Sequence, residues 1–137
     1  MNDEPGNIWD DMPLLETLGI EVVSNRDGIC RLSLRVDQRH LRSLNMLHGG
    51  VTATLLDTAL GFAVMGTATP DQHSVTTQLN LHYIRPAMLG DELVATGEVA
   101  HRGGRTAVAR GEVRRADGSL VAIATGSFQF LPRRSGF

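Results

Sequence analysis

A single acidic residue, Asp57, lies inside an otherwise apolar stretch of this 137-residue sequence. It is the only ionisable side chain between His48 and Asp71, and residues 51–65 around it are almost all apolar or small. A helix that is apolar on every side is normally buried, and a buried carboxylate is unfavourable unless it is paired or used in a reaction. The pattern therefore predicts a buried helix over 51–65 and a functional role for Asp57.

Two glycines, Gly49 and Gly50, stand where this helix would begin, so another group can approach the backbone closely there. The first turn of a helix presents unpaired N–H groups and the positive end of the helix dipole, which stabilise a developing oxyanion. Asp57 follows Gly49 by eight positions, about 12 Å along the axis at roughly 1.5 Å per residue. One helix cannot bring both features to the same carbon atom. A site that uses both needs two antiparallel copies of the helix, and therefore two subunits.

The segments around the central helix predict an antiparallel sheet. Alternating residues and turn-forming runs predict strands at 20–24, 29–37, 74–85, 92–101, 106–115 and 119–131. A short amphipathic helix is expected over 8–18, interrupted near Pro13 and closed by Gly19, and 38–47 is expected to be a loop. One apolar helix and one sheet pack best if the sheet curls around the helix. The fold class expected is therefore α+β, with one side of the helix still in need of a partner.

Strict alternation within 74–85 assigns its side chains to two faces of a strand that Pro86 ends. One face would carry Thr77, Leu79, Leu81 and Tyr83. The other face would carry Thr76, Gln78, Asn80 and His82.

Composition and charge restrict the class of protein. With 137 residues, 42% of them hydrophobic, and a formal net charge of −2, the sequence fits a single domain, 1–137, with flexible ends at 1–7 and 132–137. Neither nucleic acid nor a membrane is expected as a partner, and the absence of a signal sequence or membrane-spanning run predicts a cytoplasmic location. The single cysteine, Cys30, is expected to be a packing residue and excludes an internal disulfide. The histidines show no metal-ligand spacing, so no metal is expected.

Several motifs resemble those of one known family, the hotdog-fold acyl-CoA thioesterases of the PaaI (phenylacetate-pathway) type, which are related to a 4-hydroxybenzoyl-CoA thioesterase lineage. The similarity extends over roughly 14–131. It is carried by Leu-His-Gly-Gly at 47–50, Asp-Thr-Ala at 57–59, Asn-Leu-His-Tyr-Ile-Arg-Pro-Ala at 80–87, Leu-Gly-Asp at 89–91, Gly-Arg-Thr-Ala at 104–107 and Asp-Gly at 117–118. The His-Gly-Gly motif is more specific when an acid follows its first glycine by eight residues and a Tyr-x-Arg-Pro strand end comes later.

The resemblance implies a hotdog fold, in which an antiparallel sheet curls around one long helix. It also implies homodimers whose sheets join edge to edge, often assembled further as a dimer of dimers. The activity implied is the hydrolysis of a coenzyme A thioester, with an aryl or medium-length acyl group, without metal or cofactor.

The same resemblance assigns roles to four residues. Asp57 matches the family's carboxylate, which acts as general base on water or as nucleophile on the thioester carbonyl, and its apolar neighbours would make it a stronger base by desolvation. Gly49 matches the residue whose backbone N–H polarises the carbonyl, and that glycine would come from the other subunit. His48 occupies the family's histidine position. Thr76 matches a hydroxyl that helps to place the attacking water.

Substrate binding is expected at Gly50 and at two positions before the histidine. Arg42 stands where the family commonly has Asn or Gln, which leaves open whether Arg42 or Asn45 makes the polar contact. Asn45 stands where glycine is usual, and asparagine tolerates left-handed backbone. Arginines at the groove mouth are expected to bind the phosphates of coenzyme A. The candidates are Arg85, Arg102, Arg105, Arg133 and Arg134, of which Arg85 and Arg105 are preferred.

The residues leave alternatives open. Asp57 could instead cap a neighbouring loop from inside the core, and His48 could donate to the thioester, orient the loop or cap the helix. The two glycines fit a tight turn as well as a site. At the level of function, a non-catalytic acyl-CoA-binding or sensing protein is the first alternative. A hotdog dehydratase or hydratase is the second, although the His-x-x-x-Gly and glutamate-bearing helix motifs of those enzymes are absent from the sequence.

Overall fold

The computed structural model describes residues 12–133, which form an antiparallel sheet and two α-helices, α1 (Pro13–Leu18) and α2 (Gly49–Met65). The strands are β1 (Glu21–Arg26), β2 (Ile29–Arg35), β3 (Gln72–Tyr83), β4 (Glu92–Arg102), β5 (Thr106–Arg115) and β6 (Leu120–Pro132). They are hydrogen-bonded in the order β1-β2-β4-β5-β6-β3, so β1 and β3 form the edges of the sheet. The α+β prediction and the central helix are confirmed.

The sheet curls around α2, which contacts every strand and packs most extensively on β4 and β5. The apolar residues on its sheet side are fully buried: Leu55, Leu56, Ala59, Leu60, Ala63 and Val64. Helix and sheet are close enough that a Cβ on Gly97 would lie 2.6 Å from the backbone of Ala59, nearer than two such atoms can approach. Glycine on β4 therefore allows the sheet to close on the helix.

The burial of α2 is one-sided. Thr54, Asp57, Thr58, Gly61 and Met65 are only half-buried, and their spacing of three to four residues places them on one stripe of the helix. We refer to these residues as the half-buried stripe. This side of the helix is therefore only partly covered by its own sheet, and the expectation that it needs a partner stays a prediction.

A β-bulge changes the two faces predicted for β3. Thr76 pairs with Phe128 and Gln78 with Ser127, so Thr77 is an extra residue without a partner position of its own. A bulge shifts the alternation by one. As a result Thr76 contacts the helix, and so does Tyr83, which lies beyond the bulge. The prediction that Thr76 and Tyr83 face opposite ways is wrong, because strict alternation cannot anticipate an inserted residue.

Two short 3-10 turns, Gln38–His40 and Ser43–Asn45, lie in the predicted loop before α2. The buried His40 ring anchors this loop, since its Nε2 donates to the carbonyl of Leu18 at 2.7 Å. The backbone carbonyl of His40 accepts a hydrogen bond from the N–H of His48 at 2.9 Å. The loop therefore holds the residue that precedes α2.

The ends of the chain are only partly described. The predicted helix over 8–18 is seen from Pro13 onward, and Gly19 closes it in left-handed backbone as expected. β6 runs to Pro132, one residue into the segment predicted to be flexible. The remaining predictions for 1–7 and 134–137 lie outside the described residues, and the single-domain assignment for 1–137 stays a prediction. Within 12–133, none of the helices is long and apolar enough to cross a bilayer.

Candidate active site

The start of α2 is capped by His48. Its Nδ1 accepts a hydrogen bond from the N–H of Gly50 at 2.8 Å, and its carbonyl accepts from the N–H of Val51 at 2.9 Å. Because Nδ1 is an acceptor, a neutral His48 ring carries its proton on Nε2, which remains available as a donor. Of the alternatives for His48, the structure shows the helix cap.

The N–H of Gly49 is the first donor of the helix, and it has no acceptor among residues 12–133. Its neighbours Gly50 and Val51 both have one. An unpaired N–H at the positive end of a helix dipole is suited to bind a carbonyl oxygen on which negative charge develops. This geometry fits the role predicted for Gly49.

Tyr83 completes the helix start, and the residue-type arguments did not single it out. Its hydroxyl donates to the carbonyl of Gly49 at 2.8 Å. The peptide unit between Gly49 and Gly50 is therefore held on both sides, by Tyr83 at its oxygen and by His48 at its N–H. The Tyr-x-Arg-Pro strand end marks Tyr83 in the sequence. It does not indicate the hydrogen-bond partner of Tyr83, which is Gly49, 34 residues away along the chain.

A cavity of about 480 Å³, the helix-start cavity, opens beside these groups. Of the residues predicted to bind substrate, Gly50, Arg42 and Arg85 line it together with Gly49 and Tyr83. Arg85 is fixed by a hydrogen bond from Nη1 to the carbonyl of Leu120 at 2.9 Å. Most of the remaining lining is apolar, so the two arginines supply its positive charge.

The other predicted binding residues lie elsewhere. Asn45 does not line the helix-start cavity; it has a φ of +56°, which confirms the left-handed backbone expected of it. Arg105 is exposed in the turn between β4 and β5. It lines neither the helix-start cavity nor a second cavity that lies beside Asp57. Arg102 stacks on Phe130 with 3.8 Å to the ring centroid and donates to Gln72 at 3.1 Å, so its guanidinium has a structural role.

The last two arginine candidates lie near the end of the described chain. The backbone N–H of Arg133 donates to the carbonyl of Asp71 at 2.6 Å, and Arg134 lies outside the described residues. Of the four candidate arginines within residues 12–133, Arg85 is the one that the structure places at the helix-start cavity.

Asp57 lies on the half-buried stripe and contacts β3. The hydroxyl of Thr76 donates to Oδ1 of Asp57 at 2.8 Å, so the structure brings these two predicted site residues together. The alternative in which Asp57 caps a loop is wrong for residues 12–133, because its hydrogen-bond partner is a side chain on a strand. Because of the bulge in β3, Thr76 and Tyr83 both face the helix.

A second cavity of about 280 Å³, the Asp57 cavity, opens at this carboxylate. Its lining residues are Met12, Asp57, Thr58, Gly61, Phe62, Met65, Ser74, Thr76 and Phe128. It shares no lining residue with the helix-start cavity. In a single chain, the free N–H of Gly49 and the carboxylate of Asp57 therefore open into different cavities. In the same range, 12–133, no group of three or more His, Cys, Asp or Glu side chains is arranged to hold a metal ion.

Comparison with known proteins identifies the family. Residues 44–122 match the family model of the thioesterase superfamily. Acyl-coenzyme A thioesterase 13 of Mus musculus is 34% identical, with 80% of this chain and 76% of that protein covered. Acyl-coenzyme A thioesterase PaaI of Escherichia coli K12 is 29% identical, with coverage of 81% and 77%.

Solved structures show the same architecture. The Escherichia coli PaaI protein superposes with a TM-score of 0.85 at 26% identity, covering 91% of this chain and 88% of that one. A hypothetical thioesterase from Streptococcus pneumoniae, solved with coenzyme A, has a TM-score of 0.77 at 28% identity, with coverage of 85% and 88%. A curled antiparallel sheet around one long helix is the hotdog fold that these proteins share with the present chain. The chain therefore belongs to the thioesterase superfamily and, within it, to the PaaI-type hotdog enzymes.

Proposed function

We propose that the enzyme hydrolyses an acyl-CoA thioester, with an aryl or medium-length acyl group, to the free acid and coenzyme A. We further propose that its active site is shared between the subunits of a homodimer, with Gly49 from one and Asp57 from the other. The observation that carries the proposal is the separation of the two cavities in one chain, each holding one half of the groups that thioester hydrolysis needs. The relatives named acyl-coenzyme A thioesterase support the substrate class.

In the proposed reaction the thioester carbonyl accepts a hydrogen bond from the N–H of Gly49. As the carbon becomes tetrahedral, the negative charge on its oxygen is stabilised by this N–H and by the dipole of α2. We assign the Nε2–H of His48 as a second donor, since the helix cap uses only its Nδ1. These groups are held by the backbone, so they need no rearrangement when charge develops.

Asp57 of the other subunit faces the same carbon. As general base it takes a proton from water while the water oxygen bonds to the carbonyl carbon, and the thiolate of coenzyme A then leaves. As nucleophile it forms a mixed anhydride that water hydrolyses in a second step. Thr76 donates to Oδ1, which leaves Oδ2 free for either role and orients the carboxylate.

The distribution of charge supports a position of the coenzyme A moiety on the helix-start side. Arg42 and Arg85 line that cavity, whereas the Asp57 cavity has no arginine in its lining. Phosphate oxygens accept paired hydrogen bonds from guanidinium groups. We therefore assign phosphate recognition to Arg42 and Arg85 in place of the preferred Arg105. We propose in addition that two such dimers assemble as a dimer of dimers.

The experiment that tests the activity measures thiol release from a panel of aryl and aliphatic coenzyme A thioesters. Asp57→Asn should lose nearly all turnover while it still binds the thioester. Glu92→Gln is the matched control, since Glu92 is an exposed carboxylate on β4 away from both cavities. Equal turnover by Asp57→Asn would remove Asp57 from the mechanism. No thiol release by folded, dimeric wild type would favour the non-catalytic binding protein.

Mixed dimers test the shared site. Gly49→Pro removes the N–H, and proline is well tolerated at the first position of a helix. The ψ of 132° at His48 is also compatible with a following proline. When Gly49→Pro and Asp57→Ala subunits are mixed, half of the dimers are hybrids with one intact site of two, so about a quarter of wild-type activity should return. Hybrids that form and stay inactive would contradict the shared site.

A further inference from the structure

Gly61 is an unusual residue for its position in the middle of α2 (Gly49–Met65). Glycine is the least favourable helix residue after proline, because it loses the most backbone freedom when the helix forms. A glycine in such a place normally has a reason in packing or in function. The contacts around Gly61 separate these two reasons.

Packing within the subunit does not require glycine at this position. A Cβ on Gly97 or Gly111 would come within 2.6 Å of other atoms, so these two positions exclude any side chain. A Cβ on Gly61 would meet only Cε1 of Phe128, at 3.6 Å, which is ordinary van der Waals contact. Its backbone is helical, so no special φ is needed either. An alanine fits here without displacing a neighbour.

The space beside Gly61 is the Asp57 cavity. Gly61 follows Asp57 by one helical turn and Met65 follows Gly61 by another, so all three line the same side of the cavity over about 12 Å. Beyond Asp57 and Thr76 the wall is largely apolar, with Phe128 opposite Gly61. The cavity thus leads from the carboxylate to an apolar interior past the one residue without a side chain.

We propose that Gly61 is a specificity-determining residue, whose missing side chain makes room for the acyl group of the substrate. This inference rests on the proposed function, which places the reacting carbonyl at Asp57. The acyl group then extends along α2 past Gly61 towards Met65. The cavity volume of about 280 Å³ is close to the lower end of the roughly 300–1,000 Å³ of small-molecule pockets, which fits the acyl portion of a thioester.

The test is the ratio of kcat/KM between large and small acyl groups. Wild type, Gly61→Ala and Gly61→Val are compared on acetyl-, butyryl-, octanoyl- and phenylacetyl-CoA. A methyl group added to an apolar pocket changes discrimination by at least about tenfold. Gly61→Ala should therefore lower kcat/KM for octanoyl- and phenylacetyl-CoA about tenfold relative to acetyl-CoA, and Gly61→Val should lower it further. Gly104→Ala is the control, since a Cβ on Gly104 meets nothing within 4 Å and lies outside the cavity.

Stability gives a second, independent readout. Because alanine favours the helix and fits the site, Gly61→Ala should raise the Tm by about 3 °C while it loses the large substrates. A purely structural glycine would show the opposite, a lower Tm and equal losses on every substrate. If Gly61→Val fails to fold, Met65→Ala tests the same pocket from its far end. That variant enlarges the cavity and should raise kcat/KM for acyl groups longer than octanoyl.

The outcomes separate the inference from the function on which it rests. Wild type that releases no thiol from any thioester overturns the proposed function itself. Wild type that is active, with Gly61→Ala changing all four substrates equally or none, overturns only the role of Gly61. A Gly61→Ala protein that is monomeric by light scattering while wild type is dimeric also overturns it, because the glycine then serves subunit contact.

Discussion

The hydrogen bond from Tyr83 to the carbonyl of Gly49 makes a specific prediction about catalysis. Tyr83→Phe removes one hydroxyl and leaves the ring, so the 2.8 Å bond is lost and the peptide unit before Gly50 keeps only its contact with His48. The N–H of Gly49 belongs to the preceding peptide unit of the same turn. The proposed oxyanion donor, the N–H of Gly49, therefore becomes less well positioned, although it remains present.

The expected magnitudes differ between stability and catalysis. A single neutral hydrogen bond contributes about 0.5–1.5 kcal/mol, and the lower end applies here because Tyr83 is 57% exposed and water can replace its hydroxyl at Gly49. Removing an oxyanion donor outright lowers kcat by roughly 10² to 10³. Because Tyr83→Phe loosens the donor without removing it, we expect kcat to fall about tenfold and KM to change by less than about twofold.

The assay is steady-state thiol release with Tyr83→Phe and Thr77→Val side by side, together with urea unfolding of both. Thr77 on β3 is the matched control, because its hydroxyl also donates to a backbone carbonyl, that of Ser127 at 3.1 Å. Thr77 lines neither cavity. Both variants should lose similar stability, and only Tyr83→Phe should lose kcat. A kcat within twofold of wild type, or a loss shared equally by Thr77→Val, would refute the argument that Tyr83 positions the donor.

Three further predictions concern stability. Burial raises the pKa of the Cys30 thiol from 9.0 to about 12. The unfolded chain loses this proton near pH 9 while the folded chain keeps it, so the free energy of unfolding should decrease above pH 9 by up to about 1.4 kcal/mol per pH unit. Urea titrations of Cys30→Ala that show the same decrease with pH would contradict this. Leu44 has a φ of +67° and is 77% exposed, so Leu44→Asn should relieve left-handed strain and raise the Tm by about 2–3 °C in calorimetry; an unchanged or lower Tm would count against strain there. Gly97→Ala should destabilise the fold by about 3 kcal/mol or more in urea, because the added Cβ would lie 2.6 Å from the backbone of Ala59; a loss below about 1 kcal/mol would show that the sheet can move away from α2.

Local features of the fold and site could be read from neighbouring residues. The apolar run around Asp57 defined α2, and the alternating segments defined the strands, because helix and strand periodicity depend on residues within a few positions of each other. The spacing of Gly49 and Asp57 already implied that one chain cannot bring both to one atom. The two separate cavities agree with that distance.

Contacts between distant segments were decided only by the tertiary structure. The bulge at Thr77 depends on how β3 pairs with β6, and it puts Thr76, which contacts Asp57, on the same side of β3 as Tyr83, against the predicted alternation. The same pairing carries Tyr83 to Gly49. Similarly, the sequence preferred Arg85 and Arg105 alike, and only the structure separates Arg85, which lines the helix-start cavity, from Arg105, which lines neither cavity.

The physical reason for this division is the range of the interactions. Helix and strand propensities and turn chemistry act between residues close in sequence, so Asp57 and Gly49 could be recognised as chemically special from the residues around them. Strand register, cavity shape and the partner of a side chain follow from the simultaneous packing of the whole sheet on α2. The sequence by itself indicated Asp57 and Gly49 as candidate site groups, and the tertiary structure determined that Thr76 and Tyr83 contact them and that Gly61 leaves space beside Asp57.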